Sequence, residues 1–178
     1  MYHQVKSNER RWNMLQLIPF QEKDFNTIFD WIVSPRFLMQ WGGPMFNFPL
    51  THQQLMDYKD AQGRRAFQVY DPSLDTIIGH LSIGRIDKDQ KQGRIGKVIV
   101  SPEYRGKGYG QQMIQLISMY AFQQLDLEKV TLGVFDFNTG AIRCYENAGF
   151  TIDRYLKNHR SFEDEMWSLY EMSLNKYT

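Results

Sequence analysis

A β-branched strand that runs straight into a glycine-rich basic loop and then a long helix leaves few folds open to this chain. Ile95 to Val100 reads as the strand, bounded by Gly93 and Pro102. The loop is Arg105-Gly-Lys-Gly-Tyr-Gly110. Met113, Leu116, Ile117, Tyr120 and Ala121 then fall at offsets 0, 3, 4, 7 and 8, the stripe of an amphipathic helix that reaches about Leu125. The first amides of a helix have no internal partner, and that end of its dipole is positive. A strand, a glycine loop and a helix start therefore make a shape that binds anions. Glycines at 106, 108 and 110 let a bulky phosphate come close, and Arg105 and Lys107 add charge. The spacing is neither G-x-x-x-x-G-K-[ST] nor G-x-G-x-x-G. Taken alone, the same residues also fit a tight turn with a solvated basic surface.

Composition narrows the classes. A chain of 178 residues, 42% hydrophobic and 23% charged, is expected to form one domain over 1–178, with 1–10 as a loose polar arm. Lys+Arg at 21 against Asp+Glu at 20 gives no bulk charge to hold nucleic acid. No apolar run approaches the roughly 18 residues of a membrane span, and the first eleven residues carry no apolar leader. The one cysteine, Cys144, cannot form an internal disulfide and points to a reducing compartment, so the cytoplasm is expected. The four histidines, at 3, 52, 80 and 159, lack metal-ligand spacing, and no metal is expected.

In chain order, Asn13 to Ile18 fits a first strand. Asp24 caps a helix carrying Phe25, Ile28, Phe29 and Ile32, which ends before Pro35. Residues 36–50 show no period but carry several bulky apolar side chains, too many for a plain solvent loop. Thr51-x-x-Gln54 reads as a capping box opening a helix to about Ala61. Strands follow at 65–70 and 76–85, a polar hairpin at 87–93, the central unit, and a strand at 129–134. Asn138 to Ala148 is a capped helix stopped by Gly149. Strands at 150–157 and 165–174 close the chain, joined by a polar hairpin over 158–164. The order is that of a mixed α/β sheet.

A second informative run is Asn138-Thr-Gly-Ala-Ile-Arg-Cys-Tyr-Glu-Asn-Ala-Gly-Phe150. Asn138 and Tyr145, seven apart, share one helix face, and Ala141 between them allows close approach. From the residues alone, this is equally a capped amphipathic helix with a core tyrosine. Together, Arg105-x-x-Gly108-x-Gly110 after a strand and Asn138-x-x-Ala141-x-x-x-Tyr145-x-x-x-Gly149-Phe150 resemble the two motifs of the GNAT superfamily of N-acetyltransferases. The resemblance covers nearly the whole chain, is sharp from about 93 to 150, and is diffuse before that. It implies a single-domain GNAT-like α/β fold, a mixed, mostly antiparallel twisted sheet of about seven strands flanked by about four helices. It further implies an acetyl-CoA-dependent acyltransferase that moves acetyl directly onto a primary amine of a small molecule or peptide, as a monomer or homodimer. Within it, the backbone of Val98, Ile99 and Val100 would hold pantetheine, across a bulge that splays the strand. Arg105, Gly106, Lys107, Gly108, Tyr109 and Gly110 would take the pyrophosphate. Asn138 would hold the pantetheine arm, and Tyr145 would protonate the leaving thiolate. The N-terminal half is similar to the branch with ribosomal-protein and aminoglycoside acetyltransferases.

Many members of that superfamily carry a glutamate on the strand before position 98; here Gly93-Arg-Ile-Gly-Lys-Val98 holds no carboxylate. Asp164, Glu165, His80 and a water chain all stand as ways to deprotonate the amine. The missing carboxylate also fits a non-catalytic acyl-CoA sensor, and the loop alone fits a nucleotide-binding α/β domain. Trp41 and Phe46 either border the acceptor site or pack in the core. Cys144 reads as a structural thiol.

Overall fold

The computed structural model describes residues 15–177. Expectations for 1–14, the loose arm and the start of the first strand, lie outside the described residues. One seven-stranded sheet organises them, in the order β1-β2-β3-β4-β5-β7-β6. The strands are β1 (Gln16–Pro19), β2 (Arg65–Asp71), β3 (Thr76–Asp87), β4 (Gln92–Val100), β5 (Lys129–Phe135), β6 (Thr151–Phe162) and β7 (Glu165–Asn175). Every neighbouring pair is antiparallel except β4 and β5, which run parallel because α4 (Tyr109–Gln124) crosses between them.

The sheet is covered on both faces. Met113, Ile114, Ile117 and Ala121 of α4 bury against Ile78, Leu81, Ile83 and Ile95. Gly79 permits that closeness, since a Cβ there would stand 2.6 Å from the Met113 thioether and 2.7 Å from the Ile99 carbonyl oxygen. The opposite face is covered by α1 (Phe25–Trp31), α2 (Pro35–Gly42) and α3 (His52–Asp60), with Phe25, Ile28, Leu38, Trp41, Leu55 and Tyr58 buried there. The fifth helix, α5 (Thr139–Asn147), leads into β6. Gly149 takes φ +97, the left-handed stop that ends a helix at glycine.

Among the described residues five α-helices stand where about four were expected, and the extra one is α2. Ser34 caps it, accepting from the Phe37 N–H at 3.2 Å, and Pro35 occupies its first turn. The Ser-Pro start was the available signal; the two glycines and Pro44 that follow hid it. Asp24 does not cap α1 by a side-chain bond. A short 3-10 turn, Glu22–Asp24, precedes the helix, and the Asp24 carboxylate accepts from the Gln21 N–H at 2.8 Å. The Thr51 box is half formed. Thr51 accepts from the Gln54 N–H at 3.3 Å, while the Gln54 side chain does not reach the Thr51 N–H and bonds the Thr51 hydroxyl, Asn47 and Pro49. The polar hairpin expected over 158–164 is mostly strand, β6 running on to Phe162 through a register shift between Leu156 and Arg160.

One irregularity in β4 decides how the faces are filled. His80 pairs with Ile99 and Ser82 with Gly96, so three steps on β4 oppose two on β3. The extra residue is Lys97, at φ +54. A one-residue slip exchanges the faces of a strand. Ile95 accordingly packs under α4, whereas Ile99 packs with Phe20, Trp41 and Tyr58 on the other side.

His80 lies sealed beneath that second cluster, its Nε2 2.8 Å from the Tyr58 hydroxyl, with Phe20 edge-on at 4.5 Å. Burial pushes its pKa down to about 3. The imidazole stays neutral in the folded chain and charges in the unfolded one, which binds the extra proton between pH 6.5 and 3. Its contribution to stability is full above about pH 6.5 and is lost as pH falls through that window, by at most about 1.4 kcal/mol per pH unit. His80→Gln, which keeps a hydrogen-bonding partner for Tyr58, should flatten the acid side of a stability–pH profile measured by urea unfolding. Identical slopes in the two proteins would contradict the assignment.

Candidate active site

The site begins where β4 leaves β5. Their pairing covers only Gln92, Gly93 and Arg94 against Lys129, Val130 and Thr131. Beyond the Lys97 bulge the two strands diverge, and Val98 to Val100 border an open cleft in place of a neighbour strand. This first cleft, of about 590 Å³, runs from that edge past Arg105, Gly106, Gly108 and Gly110 to Asn138, Ala141 and Tyr145.

At its loop end, Gly106 and Gly108 take φ +72 and +83, and a Cβ on either would meet open space. Their glycine character answers a backbone demand and leaves the approach clear. Gly108 is the residue before the first turn of α4, and no side chain caps that turn. Its free N–H groups and positive dipole end therefore face the loop, a setting that fits the pyrophosphate of a CoA ester. Gly110 has a different reason. A Cβ there would stand 3.1 Å from the Cys144 sulfur, so this glycine lets α4 lie close to α5.

The other loop residues do not all reach the cleft. Arg105 does, donating from Nε to the Val100 carbonyl at 3.1 Å, with its guanidinium 5.2 Å from the Phe37 ring centre. That bond occupies one of the carbonyls assigned to pantetheine. Lys107 sits over the Tyr104 ring, and Tyr109 donates its hydroxyl to Asp71 at 2.9 Å; neither lines the cleft.

At the far end, Asn138 caps α5, its side-chain oxygen accepting from the Ala141 N–H at 3.4 Å. Tyr145 is 8% exposed, and its hydroxyl has no hydrogen-bond partner among the described residues. Burial raises its pKa above the ordinary phenol range, so the hydroxyl keeps its proton. Burial also raises the neighbouring Cys144 thiol to about 11, which leaves it a poor nucleophile.

A second cleft, of about 690 Å³, meets the first at Gln40, Val98, Asn138 and Tyr145. Its walls come from the end of α2, the bulged part of β4, and β5, β6 and β7. Trp41 lines it; Phe46 lines neither cleft and stacks on Trp41 at 5.3 Å between ring centres. Phe46 is thus a packing residue beneath the wall, and Trp41 faces both ways. The base candidates lie elsewhere. His80 is sealed in the core, Asp164 is at the hairpin tip, and Glu165 pairs there with Arg36 and Trp167. The carboxylate that does line the second cleft is Glu171, which sequence reading passed over because it is the middle residue of an ordinary strand. It is bound in a two-point pair by Arg94, at 2.6 and 3.0 Å. Gly133 makes room for this, since a Cβ on it would stand 2.5 Å from an Arg94 nitrogen. Among the described residues, no three His, Cys, Asp or Glu converge on a metal position.

The acetyltransferase (GNAT) family model matches residues 25–150, both clefts' central elements included. The chain belongs to the GNAT family. Among curated relatives, the prophage-derived uncharacterized N-acetyltransferase YokL of Bacillus subtilis is 36% identical over 86 residues, 48% of each chain. Spermidine N(1)-acetyltransferase of Vibrio cholerae is 35% identical over 92 residues, 52% of each chain. The chain thus spans about half the length of these curated relatives. Spermidine N-acetyltransferase from Vibrio cholerae, solved with CoA and spermine, superposes with a TM-score of 0.79 at 22% identity, covering 92% of this chain and 96% of that one. At that identity the likeness is one of fold.

The Arg94–Glu171 pair joins β4 to β7 across β5 at the point of divergence. Arg94→Met strands a mostly buried carboxylate and should cost about 1–3 kcal/mol. Arg94→Met with Glu171→Leu should regain most of that, because neither charge is then left alone. Denaturant titration of the three variants checks this; equal stability of the single variant and the unaltered chain would show that the pair holds nothing.

Proposed function

We propose that this GNAT protein transfers an acetyl group directly from acetyl-CoA to the primary amine of a small molecule. The observation that carries the reading is the junction of two clefts at Gln40, Val98, Asn138 and Tyr145, one ending in an uncapped helix start and the other walled by the bulged part of β4 and by β5, β6 and β7. The first cleft suits the cofactor's phosphates and pantetheine arm, and the second suits the acceptor. Family membership supports the activity, and the single cysteine fits a reducing, cytoplasmic setting.

Acetyl-CoA brings an activated thioester. The chain's part is to hold an amine against it, which replaces a bimolecular encounter by a positioned one. The amine lone pair forms the C–N bond as the C–S bond breaks, and the sulfur leaves as a thiolate. Exposed N–H groups on the unpaired edge of Val98 to Val100 can face the developing oxyanion. Tyr145, protonated and without another partner, can give its proton to the departing sulfur and regain the one that the amine loses. Amine deprotonation needs no dedicated carboxylate here. The cations lining the second cleft disfavour an ammonium ion and so release its proton more readily.

Two variants test the assignments. Tyr145→Phe keeps the ring and should lower kcat and kcat/KM together by about 10²-fold, with CoA affinity held, in steady-state kinetics on folded protein. Turnover within about twofold of the unaltered enzyme would take Tyr145 off the reaction path. Gly108→Val forces a β-branched side chain to φ +83 and should abolish CoA binding in calorimetry while the fold persists by circular dichroism. Unchanged affinity would remove the loop from the cofactor site.

A further inference from the structure

The second cleft is basic. Arg85 from the end of β3, Arg94 and Lys97 from β4, and Arg154 and Arg160 from β6 line it, against Glu171 as the one carboxylate among its described lining residues. Arg94 already satisfies Glu171 through both oxygens. The side chains of Arg85, Arg154 and Arg160 make no ion pair or hydrogen bond with any described residue. Three guanidinium groups thus line one concave wall whose one described carboxylate, opposite Arg154 in the ladder, is already held by Arg94.

Two further observations point the same way. Lys97 has its pKa pulled down to about 8, first by burial and then by the like charges of Arg64, Arg85 and Arg94. The local field is therefore positive enough to act on a group at the cleft's inner edge. Trp41, 7% exposed in the same wall, leaves its indole N–H buried without a partner, and an indole N–H can only donate. Every unmatched polar group named here therefore offers a donor or a positive charge.

On the reading of this site as an N-acetyltransferase, we infer that the acceptor is a small amine that also carries an oxyanion group, carboxylate or phosphate, bound by Arg85, Arg154 and Arg160 in the second cleft. A guanidinium fork matches either group through paired hydrogen bonds. A polycation such as the substrate named for the spermidine acetyltransferase relative would meet like charge along the wall, which costs affinity. The anion seated among the arginines leaves the amine end free to reach Tyr145, where the clefts meet.

The test follows CoA thiol release from the full chain with four amines: ethanolamine, β-alanine, O-phosphoethanolamine and spermidine. Either β-alanine or O-phosphoethanolamine should exceed ethanolamine in kcat/KM by tenfold or more, and spermidine should fall below it; which acid leads tells carboxylate from phosphate. Arg154→Gln with Arg160→Gln should reduce that preference at least fivefold, whereas Arg160→Lys, which keeps the charge, should retain most of it. Raised salt should narrow the preference as well. Melting temperatures of the variants confirm that the fold is kept. Ethanolamine or spermidine used as well as the acidic amines would overturn the inference while the transferase reading stands. No turnover with any of the four, in protein that binds CoA, would overturn the transferase reading and the inference with it.

Discussion

Two parallel strands that stop pairing after three residues make everything else in the site possible. In a continuous sheet the β4 edge from Val98 to Val100 would be filled by β5. Here that edge borders the cleft instead, and apart from the Val100 carbonyl, which Arg105 holds, its polar backbone groups can meet a guest that hydrogen-bonds like a strand. Such an opening in the middle of a sheet must be held, because strands with free edges tend to close on each other. The Lys97 bulge turns β4 away, and the Arg94–Glu171 pair fixes how far the neighbouring strands stand apart at the fork. Gly133 completes the clamp by leaving β5 thin enough for the guanidinium to cross.

The bulge also links the site to the two cores. Without the extra residue, Ile95 and Ile99 would point to the same face. With it, β4 packs α4 with one half and the α1–α3 cluster with the other. The helices that line the first cleft and those that wall the second are thereby registered against a single strand. A shift of that strand would move both clefts together.

Much of this was legible in the sequence, for identifiable reasons. The glycine loop, α4, and the Asn138 to Gly149 helix announce themselves through short-range chemistry: positive-φ glycines, a capping side chain, a 3.6-residue stripe. The parts that escaped are set by partners far along the chain. Glu171 gains its meaning from Arg94, 77 residues earlier. Helix α2 was masked by its glycines and proline although Ser34-Pro35 marked its start. A bulge in this strand was expected from the family resemblance alone; its place at Lys97 leaves no local sign, since a non-glycine residue at positive φ is held there by the packing of both faces. Phe46 could be placed near the wall of the second cleft from its neighbours in sequence, but not distinguished from the core behind it.

Lys97 draws these levels together. It is the bulged residue, its ammonium donates to the Gly42 carbonyl at 2.8 Å, and Gly42 is the last residue of α2. A cation at a helix C-terminus is favoured by the dipole, which offsets part of the burial that drives its pKa toward 8. The side chain is therefore anchored to α2 at one end and to the fork of the sheet at the other, with the second cleft beside it. An anion arriving in that cleft lowers the local positive potential and makes the ammonium less costly to keep. On the proposed anionic acceptor, its binding and the contact between α2 and β4 should strengthen each other, so that the wall bearing Trp41 is best ordered when the anionic group is in place.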